Sequence, residues 1–110
     1  MMTQLIKEVS GLKEKEYKRA AFQHGPVTNS PHEAYALIKE ELEEAQDEMK
    51  ALEDRVHYYW LEVKGEDPKF QKSYLEDIGN MAVRAACELI QVAAMSEKAL
   101  AAFMLKEEEK

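Results

Sequence analysis

"SPHEAYALIKEELEEAQDEMKALEDRVHYYWLEVKGEDPK", residues 30–69, decides the fold. Ser30 is placed to cap a helix, Pro31 takes the first helical position, and Glu33 stands three residues past the cap, ready to close a capping box. From Pro31 to about Lys64 nothing breaks helical geometry. Ile38, Leu42, Ala45, Met49, Leu52, Val56, Tyr59 and Val63 follow at alternating steps of four and three, which is a heptad seam. "KGEDPK", residues 64–69, then supplies Gly65 and Pro68 as turn signals.

On either side of this helix the pattern stays helical. Residues 4–22 read as a modest amphipathic helix with Leu5, Val9, Leu12 and Phe22 turned inward, weakened at Gly11 and ended by "HGPVTN". A third helix is expected from about Phe70 to Leu105, followed by the charged tail "KEEEK". The chain is therefore expected to be all-α: one domain, residues 1–110, in which a long antiparallel helical hairpin is joined by a short N-terminal helix.

Each long helix spans on the order of 50 Å at 1.5 Å per residue, more than one short helix can cover. "MAVRAACELIQVAAM", residues 81–95, is apolar nearly all round, so it asks for cover on more than one side. A second copy of the chain supplies that cover most simply. A homodimer or homotetramer, built as an oligomeric helical bundle, is the expectation.

Composition narrows the functional classes. With 45% hydrophobic and 34% charged residues but only 4 Gly and 3 Pro, the 110-residue chain suits a helical globular domain. A net charge of −7, with no basic cluster beyond "KEKEYKR", argues against nucleic-acid or anionic-membrane partners. The single cysteine, Cys87, has no internal disulfide partner and reads as a small core thiol in a reducing compartment. The absence of an apolar leader and of any long uncharged apolar run makes a cytoplasmic location the expectation.

Within residues 81–95 only Arg84, Glu88 and Gln91 are strongly polar, and spacings of four and three put them on one helical stripe. Buried charges are costly unless paired or bound to something, so the stripe needs a partner. With a turn centred near Glu66 and Asp67, residues whose numbers sum to about 133 lie level on the two antiparallel helices. Glu88 and Gln91 then stand at the height of Glu41 and Glu44. Glu41, Glu44 and Glu48 share a stripe beside the seam, while Glu40, Glu43 and Asp47 point further towards solvent. Carboxylates converging at one level suit Mg²⁺, which takes oxygen ligands and keeps waters that a phosphate can displace. The other reading of these residues is an Arg84–Glu88 ion pair with the acids as a solvated helix face.

"EELEE", supplying Glu40, Glu41 and Glu44, matches the E-E-x-x-E motif of the MazG-like, all-α nucleoside triphosphate pyrophosphatases. That family pairs this motif with an E-x-x-D on the neighbouring antiparallel helix. "SPHEAYALIKEELEEA" and "AACELIQVAAM" also look like small MazG-like proteins of phages and prophages, over roughly residues 30–100. The resemblance implies Mg²⁺-dependent cleavage of a (d)NTP to the monophosphate and pyrophosphate, with Mn²⁺ as a substitute ion. It makes Glu41, Glu44 and Glu88 the catalytic, metal-holding acids and Glu40 the remaining member of the first motif.

The chain departs from the family pattern at Gln91, which stands where the second motif has Asp. An amide oxygen can ligate Mg²⁺ but adds no charge. A different register, "DIGN", offers Asp77 and Asn80 as alternative metal ligands. That level lies about 18 Å along the helix from Glu44 at 1.5 Å per residue.

Other residues carry weaker suggestions. Arg84, Lys98 and Glu48 are candidates for substrate binding: Lys98 continues the polar stripe one heptad beyond Gln91, and Arg84 can neutralise a phosphate. Lys98 also reads as a surface lysine. His24 and His32 flank the loop before the second helix and read as loop and cap residues. Tyr58 and Trp60, in "VHYYW", read as packing residues that could also stack on a base. No nucleophile–base pair, Gly-rich phosphate loop or Cys/His metal cluster is present. A catalytically silent helical-bundle protein, acting as a scaffold or binding module, is the alternative to the enzyme.

Overall fold

The computed structural model describes residues 2–108. Three helices account for nearly all of them: α1 (Met2–His24), α2 (Pro31–Gly65) and α3 (Pro68–Glu108). No strand occurs among the described residues, so the all-α expectation holds. Within the tail "KEEEK", Lys106 to Glu108 continue α3, and Glu109 and Lys110 lie outside the described residues. No helix of the described chain is long and apolar enough to cross a membrane.

The helix ends follow from local chemistry. Gly25, at φ 93°, closes α1, and its N–H donates to the Ala21 carbonyl at 2.9 Å. The left-handed backbone there is what glycine accepts without a Cβ penalty. Ser30 caps α2 as expected: its Oγ accepts from the Glu33 N–H at 3.1 Å. The Glu33 carboxylate engages the Asn29 amide at 2.9 Å, so Asn29 shares in ordering the cap.

At the other end of α2, the left-handed residue is Glu66, at φ 58°, and not Gly65. Its N–H reaches the Val63 carbonyl at 3.3 Å, and the Asp67 N–H reaches that of Glu62 at 3.2 Å. This pair of bonds is a Schellman ending carried by a residue with a Cβ. Asp67 then caps α3, its Oδ1 accepting from the Lys69 N–H at 3.1 Å, with Pro68 at the first helical position. The third helix therefore starts two residues earlier than its apolar pattern suggested.

Two compact units can be distinguished, one formed by residues up to Leu42 together with those from Leu89 onward, the other by Glu43–Glu88. In the first, Ala20, Ala94 and Met95 form a small buried cluster, with Tyr17, Leu37 and Ile38 packed against it. Alanines at the contact let helices approach closely, and burying a Met side chain contributes about 1.5–3 kcal/mol. The Tyr17 hydroxyl donates to the Pro26 carbonyl at 2.8 Å, tying α1 to the loop that follows it. Lys13 pairs with Glu97 at 3.6 Å, and Gln91 donates to Glu16 at 2.7 Å.

The inward face of α1 differs from the sequence expectation. Leu5, Val9 and Leu12 are exposed and Phe22 is 93% exposed. The stripe that meets other elements instead runs through Lys13, Glu16, Tyr17 and Ala20. Polar side chains with long reach make those contacts, and an apolar-periodicity argument does not register them.

In the second unit, Arg55 lies 3.8 Å from Asp77, Tyr58 meets Tyr74 at a centroid distance of 6.0 Å, and the Gln71 amide donates to the Glu62 carbonyl at 3.2 Å. These contacts between α2 and α3 are those expected of an antiparallel pair joined at Glu66 and Asp67. Burial is sparse, with Ala45 and Ala85 the buried hydrophobic residues of this unit. The seam residues Met49 and Val56 are exposed, as are Leu75 and Val83, and so is Leu42 in the first unit. Cys87 is exposed as well, which corrects its reading as a core thiol.

Candidate functional site

The acidic site is assembled from one helix stripe and one facing carboxylate. Glu41 and Glu44 are one turn apart on the unbroken helix α2, which fixes them as neighbours on the same face. Within the second unit, Glu88 of α3 meets Glu44 closely enough to hydrogen-bond with it. Glu44 and Glu88 are the facing carboxylates of the second unit, and Glu41 precedes Glu44 by one turn of the same helix. Glu44 is exposed and the other two are half-buried.

The electrostatics of this arrangement are unfavourable without a cation. Burial is the largest effect pushing the Glu88 pKa above its ordinary value, followed by its hydrogen bond with Glu44 and the negative charges of Glu44 and Glu48. Among the described residues no cation offsets these effects at Glu88. Carboxylate oxygens are hard donors of the kind Mg²⁺ and Mn²⁺ take, and a poor match for softer metals.

The remaining predicted residues are distributed differently. Arg84 is exposed and makes no ion pair with Glu88, so the pairing that would turn these acids into a solvated face is not formed among the described residues. Glu48 is half-buried and acts on Glu88 through its charge, which associates it with the acidic cluster. Gln91 donates its amide N–H to Glu16 of α1, which also accepts from Arg19 at 2.7 Å. The amide nitrogen is thereby drawn towards α1. The Asp77 carboxylate of the alternative register is paired with Arg55, a cation in the place a metal would need, and Asn80 is exposed.

Tyr58 packs against α3, whereas Trp60 is 54% exposed. Tyr58 lies against Tyr74 with the Arg55 guanidinium 5.9 Å from its ring, and Lys64 sits 5.6 Å from the Trp60 ring. His24 ends α1, and His32 lies exposed in the first turn of α2.

The residue that sequence reasoning underestimates most is Lys98. It is 5% exposed, against the expectation of a surface lysine. It lines a cavity of about 450 Å³ in the first unit, together with Glu33, Glu40, Glu41 and Gln91. The heptad step from Gln91 to Lys98 was the available signal, because it keeps Lys98 on the inward polar stripe.

Comparison of the chain with protein-family models, curated proteins and solved structures gives no match.

Proposed function

We propose that this chain is a MazG-like nucleoside triphosphate pyrophosphohydrolase, cleaving a (d)NTP between its α and β phosphates to release the monophosphate and pyrophosphate. Glu41, Glu44 and Glu88 are its metal-holding acids, with Mg²⁺ the natural ion and Mn²⁺ a substitute. A divalent ion there supplies charge neutralisation at the phosphates and a more acidic water. The resemblance of "EELEE" to the family motif names the activity. The observation that carries the reading is that Glu88 faces Glu44 and does not pair with Arg84. A solvated structural face has no reason to bring carboxylates together, because like charges at this range are destabilising.

The same reading takes α2 and α3 as an antiparallel hairpin whose apolar faces are covered by a second copy of the chain. The exposed Met49, Val56, Leu75, Val83 and Leu89 support this, since a helix pair burying so little has few means of holding itself together. A catalytically silent bundle remains the rival, and it draws on Gln91, whose amide nitrogen is spent on Glu16.

Calorimetric titration of Mg²⁺ into the wild type, Glu44→Ala and Glu88→Ala tests the proposal. Saturable binding that both variants lose, followed by pyrophosphate release from nucleotides, is the expected result. Absence of binding to the wild type removes the pyrophosphohydrolase reading and leaves the bundle.

A further inference from the structure

Polar groups do much of the work of holding α1 on α3. Leu5, Val9 and Leu12 of α1 are exposed, and its apolar contribution is Tyr17 and Ala20 beside Ala94 and Met95. The other holds are Gln91, which donates to Glu16, and a cluster in which Lys13 and Glu14 of α1 meet Glu97 of α3. Docking made through ionisable groups changes with their protonation.

That cluster is one positive charge short. The Lys13 Nζ stands 3.6 Å from Glu14 Oε1 and 3.6 Å from Glu97 Oε2, so one ammonium serves two carboxylates. At that length it is an ion pair without a hydrogen bond. Glu97 Oε2 is shut off from water and has no hydrogen-bond partner. An oxygen so placed disfavours the anion, and a proton corrects that. The Glu14 carboxyl is within hydrogen-bonding reach of Glu97 to share it. Lys13 and Glu14 act on Glu97, Lys13 and Lys18 act on Glu14, and among the described residues no charged group of α2 acts on either. Burial and then the bond with Glu14 raise Glu97, while the same bond is the first cause that lowers Glu14. The raised group favours docking at acid pH and loses its contribution as pH rises through its folded value. The lowered group keeps its contribution until pH falls below the ordinary range. Between the two, one proton on the pair is the favoured state.

We propose that α1 is clasped to α3 by a shared proton: with one proton between Glu14 and Glu97 the Lys13–Glu14–Glu97 cluster holds the helix down, and loss of that proton loosens it. Mild acid then tightens α1 over α3 between Gln91 and Glu97. As pH rises towards neutrality, Lys13 is left to hold two negative charges and the helix opens more often. The device uses neither a metal nor a nucleotide, so it is independent of the proposed function.

The test is amide hydrogen exchange along α1 in the full chain, wild type beside Glu97→Gln, compared at one pH at a time so that intrinsic exchange chemistry cancels. The amide of the variant donates to Glu14 as the shared proton does, and it cannot ionise. Exchange about threefold slower in the variant at about pH 8, with the ratio closing towards unity at about pH 5, is the expected result. A simple Lys13–Glu97 ion pair gives the opposite sign, because Glu97→Gln removes the partner of the lysine. Equal or faster exchange in the variant at the higher pH therefore overturns the proposal. Carboxyl-carbon NMR of the wild type and Glu14→Gln is the second measurement. Glu97 should titrate above the ordinary glutamate range in the wild type and lower in Glu14→Gln, and a Glu97 titration unchanged by Glu14→Gln also overturns the shared proton.

Discussion

The Glu88 carboxyl group on α3 hydrogen-bonds with that of Glu44 on α2, and the half-buried position of Glu88 keeps its pKa above the ordinary glutamate value. Two acids in this relation repel whenever both are ionised. The protein tolerates that repulsion at neutral pH, where a helix pair could as easily have placed a Lys or Gln at either position. Stability has been given up locally, and such a sacrifice points towards function.

Neutralising either acid should therefore stabilise the metal-free protein. Glu88→Gln is expected to raise stability by about 0.5 kcal/mol, the size of a like-charge helix-surface repulsion. That corresponds to a Tm increase of about 2–4 °C for a chain of this size. Added Mg²⁺ should raise the Tm of the wild type and leave Glu88→Gln unmoved. A lower Tm for the variant, measured by thermal melting in EDTA, would contradict the repulsion.

The pH dependence has a definite sign. The folded state binds the Glu88 proton more tightly than the unfolded chain does, so protonation favours folding. The contribution of Glu88 is favourable at acid pH and is lost as pH rises through the ordinary glutamate range and on through the raised folded value. Glu97 acts in the same direction, raised first by burial and then by its hydrogen bond with Glu14, whereas Glu16 acts oppositely, held low by Arg19 and Gln91. The net profile mixes these, but the difference between wild type and Glu88→Gln isolates one group. That difference should grow from near zero at pH 4 to its full value at neutral pH in metal-free melts. A pH-independent difference would count against the assignment.

Much of this architecture was legible in the sequence, for reasons that differ by element. The unbroken helix from Pro31 and its Ser30 cap rest on local propensity and local hydrogen bonding, which the chain expresses wherever it folds, whereas Leu42, Met49 and Val56 of the expected seam stay exposed. The convergence of Glu44 and Glu88 also followed, because a turn at Glu66 sets which residues of α2 and α3 are level. The inward face of α1 did not follow, since Lys13 and Glu16 reach α3 through long polar side chains that no apolar count registers. The burial of Lys98 was signalled only by its heptad step from Gln91, and the cavity it lines was not legible in its own segment. At the turn, Gly65 and Pro68 marked the break, but the left-handed residue is the one after the glycine, Glu66.

That displacement has an energetic consequence. A side chain in the left-handed region, as at Glu66, costs roughly 1 kcal/mol relative to glycine. Glu66→Gly should therefore stabilise the turn between α2 and α3 by about 0.5–1 kcal/mol, offset in part by the greater freedom of glycine in the unfolded chain. Chemical denaturation should show a higher midpoint with an unchanged m-value. A lower midpoint would mean that the Glu66 side chain contributes more than its backbone costs.

The apolar surface leads to the last prediction. Val83 is 64% exposed on α3, and Leu75 and Leu89 are exposed on the same helix. Together these side chains leave an apolar strip on α3 open to water, which soluble proteins rarely do without a partner. If a second copy covers that strip, sedimentation should give at least twice the 12.7 kDa chain mass at micromolar concentration. Val83→Lys should shift the distribution towards the monomer and lower Tm by several degrees, because it places a charge in the dry centre of the contact. The loss should also make Tm depend more strongly on protein concentration, as it must when folding and association are linked. A wild-type chain that sediments as a monomer, with Val83→Lys melting at the same temperature, would mean that the strip is covered by something other than a second copy.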